Sequence, residues 1–174
     1  MPTKDATTSK LIALFVFDKM EVPISEETFT DMCCVSNDWL SQMESKPTLL
    51  QLIEAGFIHT LSASHNETLY SITPEGRVCL AHFFIRIPST LREKISEFIK
   101  INRLKYRRKQ EYLTDYFKNA DGSYTVILKI IEPTQPVLEI KMSVSSRQTA
   151  KWINKQWEEK ASSVYASLYE QLVD

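Results

Sequence analysis

Glycine is scarce in this sequence, and the loops that cradle phosphates in enzymes depend on it. Only three glycines occur in 174 residues, and no P-loop, GxGxxG, GxSxG or HExxH pattern is present. The longest apolar run near the start, Leu11 to Phe17, is far shorter than the ~20 residues of a membrane-spanning helix. The residues before it lack the small-residue cleavage site of a secretory signal. These absences predict a cytoplasmic protein with no catalytic site, no cofactor and no membrane span.

The three cysteines make an odd number and lack CxxC spacing, which argues against a disulfide framework or a structural zinc site. The three histidines share no ligand spacing with one another or with the cysteines, so we expect no metal site. Cys33 and Cys34 are expected on a helix, as small buried side chains about 100° apart.

Charge is distributed unevenly along the chain. The net charge is −1, but residues 1–80 carry five basic groups against eleven acids, a net −6. Residues 81–174 carry sixteen basic groups against eleven acids, a net +5. An asymmetry of this size says more about partners than the total does.

Three helices are predicted in the first 56 residues. The first runs from Lys10 to Met20 with Ser9 as its cap, and its dense apolar content indicates burial on most sides. The second follows the cap Ser25 and runs to about Cys34. The third is predicted to begin at the cap Ser45, with Pro47 in its first turn, and to end at Gly56.

Residues 35–44, between the second and third helices, are ambiguous. Asn37 and Asp38 favour a turn, while Trp39, Leu40 and Met43 offer apolar groups to the core. A hairpin then follows, with strands at 57–62 and 68–72 and a polar tip at 63–67. Alternation places Phe57, His59 and Leu61 on one face of its first arm.

A further helix is predicted after the hairpin, with Thr73 as cap and Pro74 at the first position, ending before Pro88. A capping box, Thr90 to Glu93, predicts the start of the next helix.

The second half is predicted to continue with three antiparallel strands at about 106–118, 123–132 and 137–144, with Asp121-Gly122 in the first turn. A long last helix is predicted to open at Ser145. Its apolar stripe has a spacing of three or four: Ile153, Trp157, Ala161, Val164, Leu168 and Leu172. The predicted fold class is therefore α+β. A winged helix-turn-helix domain at 1–87 precedes a helix, a three-stranded antiparallel meander and a helix at 88–174.

Two sets of sequence segments resemble known families. "LLQLIEAGFIHTL" and "LYSITPEGRVCL" resemble the third helix, wing and post-wing helix of PadR- and MarR-like transcriptional regulators. "VFDKMEVPIS", "IPSTLREKI", "YFKNADGSYTVILKIIE" and "QTAKWINKQW" resemble the uncharacterised bacterial domain-of-unknown-function family DUF4364 over nearly the whole chain. That resemblance implies an N-terminal winged helix coupled to a three-stranded, helix-backed half. It implies a regulatory role but no ligand, reaction or DNA site.

In PadR- and MarR-like regulators the third helix enters the major groove and the wing tip touches the phosphate backbone or the minor groove. The resemblance therefore implies double-stranded DNA as a partner and a homodimer as the assembly. Carried over by position, the candidate DNA contacts lie on the third helix, at the wing tip and just behind it: Lys46, Thr48, Gln51, Ser64, His65, Asn66 and Arg77. Each of these side chains is also ordinary on a solvated surface.

The charge pattern disagrees with DNA binding by this region. Residues 36–56 contain one base, Lys46, against Asp38, Glu44 and Glu54, whereas DNA affinity comes largely from basic side chains that neutralise phosphates. A basic patch does occur further along: Lys100, Arg103, Lys105, Arg107, Arg108 and Lys109. It is interpreted as a phosphate contact, as a contact for an acidic protein surface, or as a solvated helix end that passes into an edge strand.

Two functions therefore remain open from the sequence. The leading hypothesis is a homodimeric winged-helix DNA-binding regulator, with Trp152, Tyr165 and Tyr169 of the last helix available for a dimer contact. The alternative is a winged helix used as a protein-interaction module, with an acidic docking face and no DNA binding.

Overall fold

The computed structural model describes residues 5–62, 67–132 and 135–173, and the fold is mixed α+β as predicted. The chain divides into two compact units, Met1–Arg103 and Leu104–Asp174. The boundary between these units falls within the helix Ser89–Glu111. The boundary predicted from the sequence, between residues 87 and 88, lies before the start of that helix.

The first unit contains helices and a three-stranded antiparallel sheet in the order β1-β3-β2. Strands β2 and β3 form the predicted hairpin, which we call the wing. The elements are α1 (Ala6–Met20), β1 (Ile24–Ser25), α2 (Glu26–Thr30), a π-helical turn (Asp31–Val35), α3 (Gln42–Glu54), β2 (Ile58–Ser62), β3 (Thr68–Ile72), α4 (Pro74–Phe83), a 3-10 turn (Phe84–Arg86) and α5 (Ser89–Glu111), which runs into the second unit. The short strand β1 was not predicted.

Helix α1 is the centre of the first unit's core, as its apolar content indicated. Seven consecutive side chains, Leu11 to Phe17, are buried, and the Phe17 ring stacks on Phe29 with centroids 5.1 Å apart. The predicted cap was wrong: the helix follows Asp5, and Ser9 is buried within it. Its hydroxyl makes no hydrogen bond among the described residues.

The segment from α2 to α3, ambiguous in the sequence, is a capped helix followed by a buried turn. Ser25 Oγ accepts a hydrogen bond from Thr28 N at 3.1 Å, so the predicted cap is confirmed. The π-helical turn buries Cys33, whose carbonyl accepts hydrogen bonds from the backbone N–H groups of Trp39 and Leu40. Those bonds hold both apolar side chains in the core. Met43, also expected to face the core, is 89% exposed.

Helix α3 starts earlier than predicted. Ser41, not Ser45, is its cap, and Ser41 and Glu44 form a reciprocal capping box. Pro47 therefore lies inside the helix rather than in its first turn. At the other end the prediction is confirmed, because Gly56 adopts the left-handed conformation with φ +74°.

A set of backbone contacts joins the end of α3 to the start of α4. Thr73 caps α4 by accepting from Gly76 N at 3.0 Å, and its hydroxyl donates to the Gly56 carbonyl at 2.7 Å. Thr73 N donates to the Phe57 carbonyl, and Gly76 packs directly against that carbonyl. These contacts hold the wing between α3 and α4.

The buried face of the wing differs from the prediction. Ile58 pairs with Ile72 across the sheet, and both are buried. His59 and Leu61 are exposed and Phe57 is only partly buried, so the predicted face is wrong: Ile58 is buried, and the other four residues of β2 are exposed.

Helix α5 begins at Ser89, so Thr90 lies inside it and does not cap it. The helix continues to Glu111, whereas the sequence suggested a strand from about residue 106. In the first unit Ile95 and Ile99 are buried, and the Phe98 ring packs edge-on against Trp39 at 5.4 Å between centroids.

The second unit contains a three-stranded antiparallel meander with a helix on one face, as predicted. Its elements are β4 (Tyr112–Lys118), β5 (Tyr124–Glu132), β6 (Gln135–Val144) and α6 (Arg147–Val173), with the strands in sequence order. Val126, Leu128, Ala150, Trp157 and Ala161 form the buried core.

The turns and helix ends of the second unit agree with the prediction in part. Gly122 has φ +87°, which confirms the turn between β4 and β5. The cap of α6 is Ser146, which accepts from Thr149 N at 3.1 Å, and not Ser145. The α6 stripe is covered by the sheet at Trp157 and Ala161, but it ends in an exposed Leu172. Pro133 and Pro136 predict a second turn between β5 and β6, and Pro133 lies outside the described residues.

Candidate functional site

The outward surface of α3 is apolar along its centre. Met43, Pro47, Leu50 and Glu54 are spaced by four, three and four residues, so they lie along one line of the helix. Met43 is 89% and Leu50 53% exposed. Lys46 and Gln51, both exposed, lie on either side of this line. We call these six residues the α3 face: Met43, Lys46, Pro47, Leu50, Gln51 and Glu54.

Of the three third-helix residues predicted to contact DNA, the structure exposes two. Lys46 and Gln51 share the α3 face, as expected. Thr48 does not, because it lies on the opposite side of the helix beside Leu49 and Leu52 and is only 6% exposed. Thr48 is therefore covered by the core and does not lie on the surface that the α3 face presents.

The cations near α3 are ion-paired. Lys46 Nζ lies 3.9 Å from Glu26 Oε1 in an exposed, loose pair. Arg77, predicted to stand behind the wing tip, lies on α4 with its Nε 3.4 Å from Asp18 Oδ1. Exposed ion pairs add little stability, but each neighbouring carboxylate lowers the positive potential that a phosphate would meet. The predicted tip residues, Ser64, His65 and Asn66, lie outside the described residues.

The basic patch lies entirely on the last turns of α5, which ends at Glu111 and passes directly into the edge strand β4 at Tyr112. Two of its six cations are already paired. Arg103 Nη1 lies 2.8 Å from Glu21 Oε2, and Arg107 Nε lies 2.6 Å from Glu111 Oε1. The hydrogen bond and charge of Glu111 raise the pKa of Arg107 above its ordinary value. Lys100, Lys105, Arg108 and Lys109 are exposed.

Beneath α3 lies a small polar cluster that includes a thiol. Thr30 Oγ1 and Ser45 Oγ are 3.1 Å apart, and the Ser45 side chain also hydrogen-bonds Cys34. Burial raises the pKa of the Cys34 thiol, and the charges of Asp38 and Glu44 act in the same direction, partly opposed by the Ser45 hydrogen bond.

Cys34 should therefore be alkylated by iodoacetamide more slowly at pH 8 than the same residue in the urea-unfolded chain, because the thiolate is the reacting form. Its rate should keep rising with pH beyond the range of an ordinary thiol. Asp38→Asn should raise the rate at pH 8, because it removes a negative charge without exposing the sulfur. Peptide mass spectrometry measures each rate. Equal rates in the native and unfolded chains would contradict the assignment.

The comparisons with known proteins place the chain in a family. A family model described as "Domain of unknown function (DUF4364)" matches residues 9–172. The chain belongs to this family. The DUF4364 match spans both compact units, so the first unit and the helix-backed meander occur together within one family model. No curated protein and no solved structure matches the chain.

Membership of DUF4364 assigns no ligand, reaction or partner. Within the described ranges, no helix is long and apolar enough to cross a membrane. Nor does any group of three His, Cys, Asp or Glu side chains in the described part of the chain have the arrangement of a metal site. The predictions of a cytoplasmic location and of no catalysis, and the likeness to PadR and MarR regulators, stay predictions.

Sequence reasoning missed the two apolar residues that dominate the α3 face. Met43 was assigned to the core and Leu50 was given no role. The signal that finds them is the capping box at Ser41 and Glu44, because a helix that starts there places Met43, Pro47, Leu50 and Glu54 on one line.

Proposed function

We propose that this DUF4364 chain is a winged-helix protein-interaction module whose α3 face docks a basic protein segment. The observation that carries the proposal is the composition of that face. A helix that reads DNA offers phosphates several unpaired cations, but this one offers Met43, Pro47 and Leu50, with its single cation paired to Glu26.

Charge identifies the kind of partner. The first unit, residues 1–103, is acidic: it carries ten basic groups against thirteen acids, a net −3, and Glu54 extends the apolar line of the α3 face. An acidic surface repels a nucleic acid and attracts a basic protein segment, which accelerates encounter and selects among partners. The apolar centre with a charged rim matches the general anatomy of protein interfaces. The expected occupant therefore combines Lys or Arg with large apolar side chains.

Selection of random peptides on the immobilised full-length protein tests this proposal. We expect enrichment of peptides that carry both basic and apolar residues. Leu50→Asp should weaken the selected peptides roughly ten-fold or more, since it places a charge at the centre of the contact. Glu54→Lys should weaken them as well, through repulsion. Fluorescence anisotropy with a labelled peptide measures both effects.

Val78→Asp is the matched control. Val78 is exposed on α4 to nearly the same degree as Leu50, 58% against 53%, but lies outside the α3 face. It should leave peptide binding unchanged, and circular dichroism should show all three variants folded. Selection of acidic peptides, of none, or of peptides that bind Leu50→Asp as tightly as the parent would overturn the proposal.

The second candidate function is a winged-helix DNA-binding regulator acting as a homodimer. It is favoured by the element order of the first unit and by the exposure of Lys46 and Gln51 on α3. Titration with random duplex DNA at low and then higher salt separates the candidates. Steeply salt-dependent binding that is lost in Lys46→Glu supports DNA binding, whereas loss only in Arg108→Glu moves that contact to α5.

A further inference from the structure

A shallow, open hollow in the surface lies beside the start of α6. It is lined by residues on one side of the helix: Gln148, Thr149, Lys151, Trp152 and Lys155. The spacing of Gln148, Lys151, Trp152 and Lys155 places them on adjoining turns of one face, so the hollow presents an aromatic ring and two ammonium groups together.

Trp152 is unusual among the tryptophans of this chain. Trp39 and Trp157 are 4% and 3% exposed and belong to the cores of their units, whereas Trp152 is 62% exposed. The covered stripe of α6, which includes Ala150, Trp157 and Ala161, lies on another side of the helix. A large indole left open to solvent contributes little to the stability of the second unit, and it provides a flat apolar surface for a ligand.

All the charged side chains in the first two turns of α6, around the indole, are positive. Arg147, Lys151 and Lys155 are exposed and spaced by four residues. Among the described residues, neither Lys151 nor Lys155 forms an ion pair. The first acids along the helix are Glu158 and Glu159, beyond Lys155. The positive end of the α6 dipole adds to this field, so the hollow favours an anion.

We propose that this hollow binds a nucleotide unit, with the base stacked on the Trp152 indole and the phosphate paired with Lys151 and Lys155. An aromatic ring beside lysines is the combination that recognises a base and its phosphate without reading sequence. A free mononucleotide and a single strand of nucleic acid share this chemistry. The site lies in the second unit and does not depend on the function proposed for the α3 face.

Tryptophan fluorescence of the full-length protein tests the site, because only Trp152 is open to a stacking ligand. Titration with AMP should quench the emission, and adenosine should bind at least ten-fold more weakly because it lacks the phosphate. Lys151→Glu/Lys155→Glu should weaken AMP roughly ten-fold or more, and added salt should weaken it further. Trp152→Leu should abolish the quenching and weaken binding measured by calorimetry.

Lys160→Glu is the matched control, since Lys160 is exposed on α6 outside the hollow, and it should leave AMP binding unchanged. A parallel titration with oligothymidylates distinguishes a free mononucleotide from a single strand of nucleic acid as the ligand. Affinity that rises with strand length identifies single-stranded nucleic acid, and affinity equal to that of AMP identifies a free nucleotide. Absence of quenching by both ligands would overturn the proposal. Equal affinity for adenosine and AMP would also overturn it. So would quenching that increases with protein concentration in the absence of ligand, because that quenching reports contact with a second copy of the chain.

Discussion

Gly76→Ala is expected to lower the stability of the first unit by about 3 kcal/mol or more, at the upper end of what overpacking costs. A Cβ at this position would overlap the Phe57 carbonyl oxygen and lie 2.9 Å from Ile72 Cγ1. The carbonyl is backbone, and it already accepts a hydrogen bond from Thr73 N. Relief of the overlap therefore requires α4 to move away from the wing, which breaks the contacts that hold the wing in place.

Gly56→Ala separates this effect from the ordinary cost of replacing a glycine. Gly56 has φ +74° and no heavy atom within 4 Å of an added Cβ, so alanine there meets backbone strain alone, about 1 kcal/mol. Urea denaturation followed by circular dichroism measures both variants against the parent. The close packing of α4 on the wing would be refuted if Gly76→Ala were no more destabilising than Gly56→Ala.

Trp157→Ala is expected to destabilise the second unit by about 3–5 kcal/mol, the cost of removing a large buried aromatic side chain. Trp157 is buried with Val126 and Leu128 of β5 and Ala161 of α6. Its Nε1–H donates to the Lys129 carbonyl at 3.1 Å, so the side chain both fills the core and pins α6 to the central strand. Alanine leaves a cavity and removes that donor.

Trp157→Phe divides this cost into two parts. Phenylalanine keeps most of the apolar volume but cannot donate to Lys129 O, and we expect a loss of about 1–2 kcal/mol. Trp152→Ala, on the exposed side of the same helix, should change stability by less than about 0.5 kcal/mol. Urea denaturation curves provide all three values. A loss at Trp157 no larger than that at Trp152 would show that α6 does not close this core.

Local signals predicted much of the secondary structure correctly. Ser25 and Thr73 cap helices through hydrogen bonds to groups three residues away, and Gly56 and Gly122 adopt positive φ where a helix ends and a hairpin turns. Each signal depends on a few neighbouring residues, so the sequence carries it in full. The resemblance to DUF4364 is confirmed over residues 9–172, and it likewise rests on residues read directly from the chain.

The candidate site was only partly predictable because hydroxyl side chains occupy buried positions of α3. Ser45 and Thr48 are buried beside Leu49 and Leu52, so the inward stripe of the helix is half polar. A pattern that equates apolar with buried therefore places Thr48 outside and gives no reason to place Leu50 on the surface. The structure buries Thr48 and exposes Leu50, which makes the α3 face more apolar than predicted.

The sequence by itself determined the α+β class, the hairpins, the helix caps Ser25 and Thr73 and the acidic character of the first 80 residues, because these follow from composition and short-range spacing. Only the tertiary structure decided which cations are free. Arg103 pairs with Glu21, 82 residues away along the chain, and Arg77 pairs with Asp18. The tertiary structure also decided the length of α5 and the outward position of Met43 and Leu50. These features depend on residues that are distant in sequence and meet only in the folded chain.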